Sequence, residues 1–212
     1  MIYHFAATAG VAALLAVAGG PLTRALQLEA KAISKSGRHG HLKPSGEGGE
    51  INLNGNKENT VLGPLTVSGS YRVIETGKNL RMRNLRIRGL VGTDLQREGI
   101  RLRGDIDGAT IQNFKLSMRT EPQTAPDLPI GIAVQSGRGI TISDGEVSGF
   151  QMVRVPGKYT NGDGIASERK VEDLTIVRVV SRNNSDGGFD LKSRNTKLDQ
   201  LRSENNGRNY RL

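Results

Sequence analysis

The run NSDGGFDLKS (Asn184–Ser193) sets Asp186 and Asp190 on either side of a Gly-Gly pair, with Lys192 just beyond. Asp163 precedes a glycine in the same way in NGDGI, and Arg211 follows in NYRL. Carboxylates in such turns can supply hard oxygen ligands to calcium. They can also work as a pair on a glycosidic bond. A neighbouring lysine or arginine can take a proton if its own pKa is depressed. Asp163, Asp186 and Asp190 are therefore the metal candidates, and Lys192, Arg211 and Asp190 the catalytic ones. β-Elimination on a uronate polymer would use both kinds of group. A cation neutralises the sugar carboxylate and acidifies the adjacent C–H, and a base removes that proton. The plainer reading is that Asp before Gly shapes a turn, and that Asp190 only pairs with Lys192 or Arg211.

A repeat positions these groups. One short pattern reads GIRLRG (99–104), GIAVQSG (131–137), GIASER (164–169) and GFDLKS (188–193), with a clipped NYRL (209–212). A second alternates with it: NLRMRNLRI (79–87), ATIQNFKL (109–116), ITISDGEV (140–147), LTIVRVV (174–180) and TKLDQLRS (196–203). The apolar alternation has period two, which codes strands. Aligned on Met82, Ile111, Ile142, Ile176 and Leu198, the units are spaced 29, 31, 34 and 22 residues apart. One such unit cannot bury its apolar face alone, whereas stacked units form a continuous core. Leu85, Phe114, Val179 and Leu201 form a second column, interrupted by Gly145. Asn84, Asn113, Asp144, Arg178 and Gln200 lie between the columns, where a tight corner favours residues that tolerate the left-handed region. The final units share Ser181/Ser203, Asn183/Asn205 and Asn184/Asn206, as an asparagine ladder requires. This is the pattern of a parallel β-solenoid, an all-β fold.

Strand parity then assigns faces. With Ile100, Leu102, Phe189, Leu191 and Tyr210 inward, Arg101, Arg103, Glu168, Asp190, Lys192 and Arg211 point outward. The segments between repeats vary most at 117–130 and 148–163, and the second carries Arg154, Lys158 and Tyr159. Insertions in solenoids gather on one face, often the binding face. Arg101, Arg103, Arg154, Lys158, Tyr159 and Glu168 are the substrate-binding candidates.

The NGDGI…LTI…NNSDGGFDLKS run resembles the right-handed parallel β-helix proteins of the pectate-lyase-like superfamily. The resemblance covers 78–212. It implies a right-handed parallel β-helix with a short N-terminal helix as its cap, placed at 22–33 where Leu22, Leu26, Ala30 and Ile33 have helical spacing. It also implies binding and cleavage of an acidic polysaccharide, with Ca2+ as cofactor. Calcium-dependent members carry an Asp-Asp-Gly-x-Asp cluster. This chain has Ser185-Asp186-Gly187-Gly188-Phe189-Asp190, with Gly187 in place of the second aspartate. NSDG also resembles the Asn-Thr-Asp-Gly motif of polygalacturonases, so a glycoside hydrolase or a phage-type depolymerase is an alternative. A non-catalytic adhesion or cell-surface module is another.

The bulk properties agree with this reading. There are 28 glycines, no cysteine, and a net charge of +9 from 30 Lys+Arg against 21 Asp+Glu. Such a surface attracts polyanions. The arginines of RMRNLRIRG and IRLRG lack the stacking aromatics or recognition helix of a nucleic-acid binder, so no nucleic acid is expected. Residues 1–25 read as a signal peptide, apolar from Phe5 to Ala18, which predicts a secreted or periplasmic protein with no stable membrane span after cleavage. Residues 26–50 read as the cap and a flexible connection, and 51–212 as the β-helix. Leu212 falls within a repeat, so further repeats are expected beyond it.

Overall fold

A computed structural model describes residues 51–119 and 128–212, together with the backbone of 27–28 and 33–34. The proposed signal peptide and most of the connection lie outside the described residues. Sixteen strands join in one sheet, and the described residues contain no helix. The strand pairings are parallel throughout. Among the described residues no helix is long and apolar enough to cross a membrane.

The long strands bend. Arg81–Leu95 holds Asn84, Gly89 and Asp94 at φ of 58°, 65° and 54°. An L-residue at such φ reverses the local course of an extended chain, so each of these positions is a corner. The expected corner residues Asn84, Asn113, Asp144, Arg178 and Gln200 all have φ between 50° and 58°. Side-chain amides join some corners between repeats: Asn84 Nδ2 donates to Asn59 Oδ1 at 3.0 Å, and Asn195 Nδ2 to Asp173 Oδ1 at 3.2 Å.

The register corrects one alignment. Ile111, Ile142, Ile176 and Leu198 do pair in one column, but Ile111 faces Ile87 in the preceding strand. Met82 faces Ile106 instead, so the first offset is 24 residues and not 29. Asn84 accordingly stands opposite Gly108, and Gly89 takes the corner before Asn113. The cause lies in NLRMRNLRIRGL, whose alternation continues through two corners and satisfies either register. Phe114 likewise follows Leu90 in its column.

The interruption at Gly145 has a packing reason. Gly145 pairs with Phe114, and a Cβ there would clash with the Phe114 ring. The glycine makes room for the largest side chain of that column. Apart from Phe114, Phe150 and Phe189 the core is built mainly of aliphatic side chains: Ile87, Ile100, Ile111, Ile132, Ile142, Ile165 and Ile176 are all buried.

The expected helix over 22–33 is also corrected, as far as the chain is described there. Gln27–Leu28 and Ile33–Ser34 are strands, paired with Val61–Leu62 and Val67–Ser68. The first complete repeat exposes a row of backbone N–H and C=O groups, which a strand satisfies and a helix cannot.

Candidate functional site

One row of strands carries the candidate residues. Arg72–Thr76, Glu98–Leu102, the starts of Ile130–Ser148 and Asp163–Arg182, then Gly187–Leu191 and Arg208–Arg211 pair successively. Ile74, Ile100, Ile132, Ile165, Phe189 and Tyr210 form its inward column. Phe189 and Tyr210 stack with centroids 5.5 Å apart. The next position along the row reads Glu75, Arg101, Ala133, Ala166, Asp190 and Arg211. The outward parity expected for Arg101, Asp190 and Arg211 is therefore the observed register.

The turn entering Gly187–Leu191 is built by its asparagine and serine. Asn184 Oδ1 accepts from Phe150 N–H at 3.0 Å, while Nδ2 donates to Ser181 Oγ and to Asn206 Oδ1 at 3.0 and 2.8 Å. Asn184 and Asn206 thus form the expected ladder. Ser181 and Ser203 repeat one bond, donating to Gly188 O at 2.8 Å and to Asn209 O at 2.7 Å. Asn183 and Asn205 serve differently, as left-handed corners at φ 59° and 52°. Ser185 Oγ accepts from Met152 N–H and donates to Asn161 O, at 2.9 and 2.6 Å. It therefore ties both ends of the 148–163 segment to the turn. That segment holds Tyr159 at its exposed tip.

Gly187 explains the missing aspartate. Its N–H donates to Asp163 Oδ1 at 2.7 Å, and a Cβ on it would stand 2.8 Å from the same oxygen. Any side chain there would displace Asp163. Asp163 itself is buried, and burial raises its pKa to about 7. The charges of Asp186 and Asp190 push it the same way, while the Gly187 N–H and Arg211 oppose the shift.

Asp190 is saturated with cations. Arg211 binds it through two nitrogens, Nε to Oδ1 at 2.8 Å and a terminal nitrogen to Oδ2. Lys192 Nζ lies 3.4 Å from Asp190 Oδ2 and 3.5 Å from Glu168 Oε1. Arg211 also lies 3.9 Å from Asp186 Oδ2. The hydrogen bond to Asp190 raises the Arg211 pKa further. A proton-abstracting arginine works best with the opposite shift, and Arg211 as placed is engaged as the ion-pair partner of Asp190.

These observations also bear on calcium. The oxygens of Asp190 are taken by two cations, and one oxygen of Asp163 is taken by a backbone N–H. Among the described residues no group of three or more carboxylate or imidazole side chains is arranged to hold a metal ion. Asp163, Asp186 and Asp190 as placed do not fit calcium.

Two grooves flank the tip of the 148–163 segment. The larger, about 520 Å³, is lined by Met152, Arg154, Lys158, Tyr159, Asp186 and Arg211 among others. The smaller, about 190 Å³, takes in Arg97, Arg101, Tyr159, Asp163, Glu168, Asp190 and Lys192. Tyr159 and the strand row place all the expected groups on one side except Arg103. Arg103 is bound to Glu75 at 2.5 Å and donates from Nε to Thr76 O at 2.9 Å. It is 9 % exposed and lines neither groove. Its parity is right, but the neighbouring strand supplies a carboxylate that parity alone does not reveal.

The buried ionic network at the other end of the row was not anticipated. Arg72, Glu75 and Glu98 are all buried. Arg72 bonds Glu75 at 2.6 Å and also pairs with Glu98. The available signal was a charged residue at each end of the apolar run RVIE, one unit before REGI. No protein-family model, curated protein or solved structure matches this chain.

Proposed function

We propose that the chain is a right-handed parallel β-solenoid of the pectate-lyase-like kind, exported, and that it binds an acidic polysaccharide across the two grooves and cleaves it by β-elimination. The observation that carries this reading is Asp163, a buried carboxyl with its pKa raised to about 7, at the edge of a groove that also presents Arg97, Arg101 and Lys192. A base works best when its pKa lies near the working pH. The fold part rests on parallel pairing between units 22 to 34 residues apart, with corners at corresponding positions. Parallel strand crossovers are right-handed in nearly all proteins.

In this scheme Lys192 and Arg211 hold the sugar carboxylate, and Asp163 takes the proton from the adjacent carbon. The C–H electrons form the new C=C bond, and the glycosidic C–O bond breaks with its electrons leaving on oxygen. That oxygen is protonated from solvent. Arg154, Lys158 and Tyr159 carry the polymer into the larger groove. A second reading, glycoside hydrolysis, has one observation in its favour: Asp186 is a second, more exposed carboxylate near Asp163.

The test is digestion of pectate, alginate and glycosaminoglycans, with ultraviolet absorbance for unsaturated ends and a reducing-end assay run together. Elimination predicts both signals, unaffected by a chelator and abolished in Asp163→Asn. Reducing ends without absorbance select hydrolysis. Binding without either signal leaves a non-catalytic module. No binding to any acidic polymer at low salt refutes the proposal.

A further inference from the structure

The smaller groove has a second charged end, remote from Asp163. Arg72, Arg97, Arg101 and Arg103 gather there, and among the described residues Glu75 and Glu98 are the carboxylates they share. Glu75 is shared between Arg72, Arg103 and Arg101, and its contact with Arg101 is the longest of these at 3.5 Å. Arg103 and Arg72 are enclosed by the strands. Arg97 donates to Tyr71 Oη at 2.9 Å and lies over the Tyr71 ring. Arg101 differs. It lines the groove, as Arg97 does, but its contact with Glu75 is loose and its buried Nε–H finds no hydrogen-bond acceptor among the described residues.

We propose that Arg101, with Arg97 beside it, is an oxyanion-binding subsite that takes a second anionic group of the ligand, a sugar carboxylate or sulfate ester. A buried guanidinium N–H without a partner costs free energy that an oxyanion would recover, and a planar guanidinium fork suits either group. Burial lowers the Arg101 pKa, which agrees with a cation short of countercharge.

The register sets the distance to the other end. Arg101, Ala133, Ala166 and Asp190 are successive cross-strand partners. Three strand spacings amount to about 14 Å. The two alanines leave a floor without projecting side chains between Arg101 and the Asp190–Lys192–Arg211 cluster. The far end carries Asp163, Glu168 and Asp190 around Lys192, so an anion is favoured at the Arg101 end. In the cleavage scheme above one sugar carboxylate sits at Lys192 and Arg211, and Arg101 takes the anionic group of a separate unit of the same oligomer. That the ligand is a polysaccharide rests on the proposed function, whereas anion binding at Arg101 does not.

The experiment uses protein labelled with 15N-arginine and follows the side-chain Nε–H signals. Sodium sulfate and sodium glucuronate are titrated separately against sodium chloride at matched ionic strength. The signal absent from the Arg101→Lys spectrum should shift and saturate with sulfate, with glucuronate, or with both, which identifies the group. Calorimetry should show affinity for the same anion falling about tenfold or more in Arg101→Gln, the loss of one charged hydrogen bond. Asp163→Asn should bind the anion unchanged even where polymer cleavage is lost, which separates this subsite from the cleavage scheme. No saturable shift of that signal, or the same shift with chloride, overturns the proposal.

Discussion

Asp163→Asn should make stability less dependent on pH, and the amount follows from its surroundings. The carboxyl titrates near 3.8 in an unfolded chain and at about 7 in the fold, because burial penalises its charge. Its folded pKa is raised, so its stabilising contribution is complete below about pH 3.8. That contribution is lost as pH rises through 7, where the fold must accept a buried charge. Each unit is worth about 1.4 kcal/mol, so the full loss approaches about 4 kcal/mol. Between pH 5 and pH 8 the part still to be lost is about 3 kcal/mol. Asparagine keeps an oxygen that can accept the Gly187 N–H, but it cannot ionise. Urea denaturation of both proteins at pH 5 and pH 8 measures the effect. The substitution's fixed cost cancels in the comparison, leaving only the pH-dependent part. The variant should gain about 3 kcal/mol on the wild type as pH rises. A difference that does not change with pH, or one that moves the other way, refutes both the raised pKa and its use as a base.

Three further substitutions test the scaffold. Glu75→Gln leaves Arg72 and Arg103 with a neutral partner in a buried network, and should lower stability by about 3 kcal/mol in urea denaturation. Gly145→Ala drives a methyl into the Phe114 ring and should cost about 1–3 kcal/mol, with part recovered in the double variant carrying Phe114→Leu. Failure of that rescue in thermal denaturation would argue against the Phe114–Gly145 register. Asn184→Ala removes the acceptor of the Phe150 N–H and breaks the link to Asn206. It should cost about 1–3 kcal/mol, and hydrogen exchange should speed up at Phe150 more than at Ile142.

The periodic parts of this protein were legible in its sequence because each depends on local geometry. Alternation of period two identified the strands, and the inward residues Ile100, Ile132, Ile165 and Phe189 are buried as parity requires. Asn113, Asp144, Arg178 and Gln200 were identified as corners because a left-handed bend restricts which residues suit it. The ladder of Asn184 and Asn206 followed from their recurrence at one place in successive units. Where a segment alternates through two corners, as around Met82, local pattern admits two registers. Pairing with Ile106 was chosen by the whole stack. The site depended on the tertiary structure still more. Parity put Arg101 and Arg103 on one face, but only the adjacent strand, with Glu75, separates the groove-lining arginine from the one held by the scaffold. The same holds for the opening cluster. Sequence placed Asp163, Asp186 and Asp190 together as equals, but charge, burial and hydrogen bonding come from neighbours far along the chain. Arg211 fixes Asp190 as an ion pair, and burial beneath the Gly187 turn raises the pKa of Asp163.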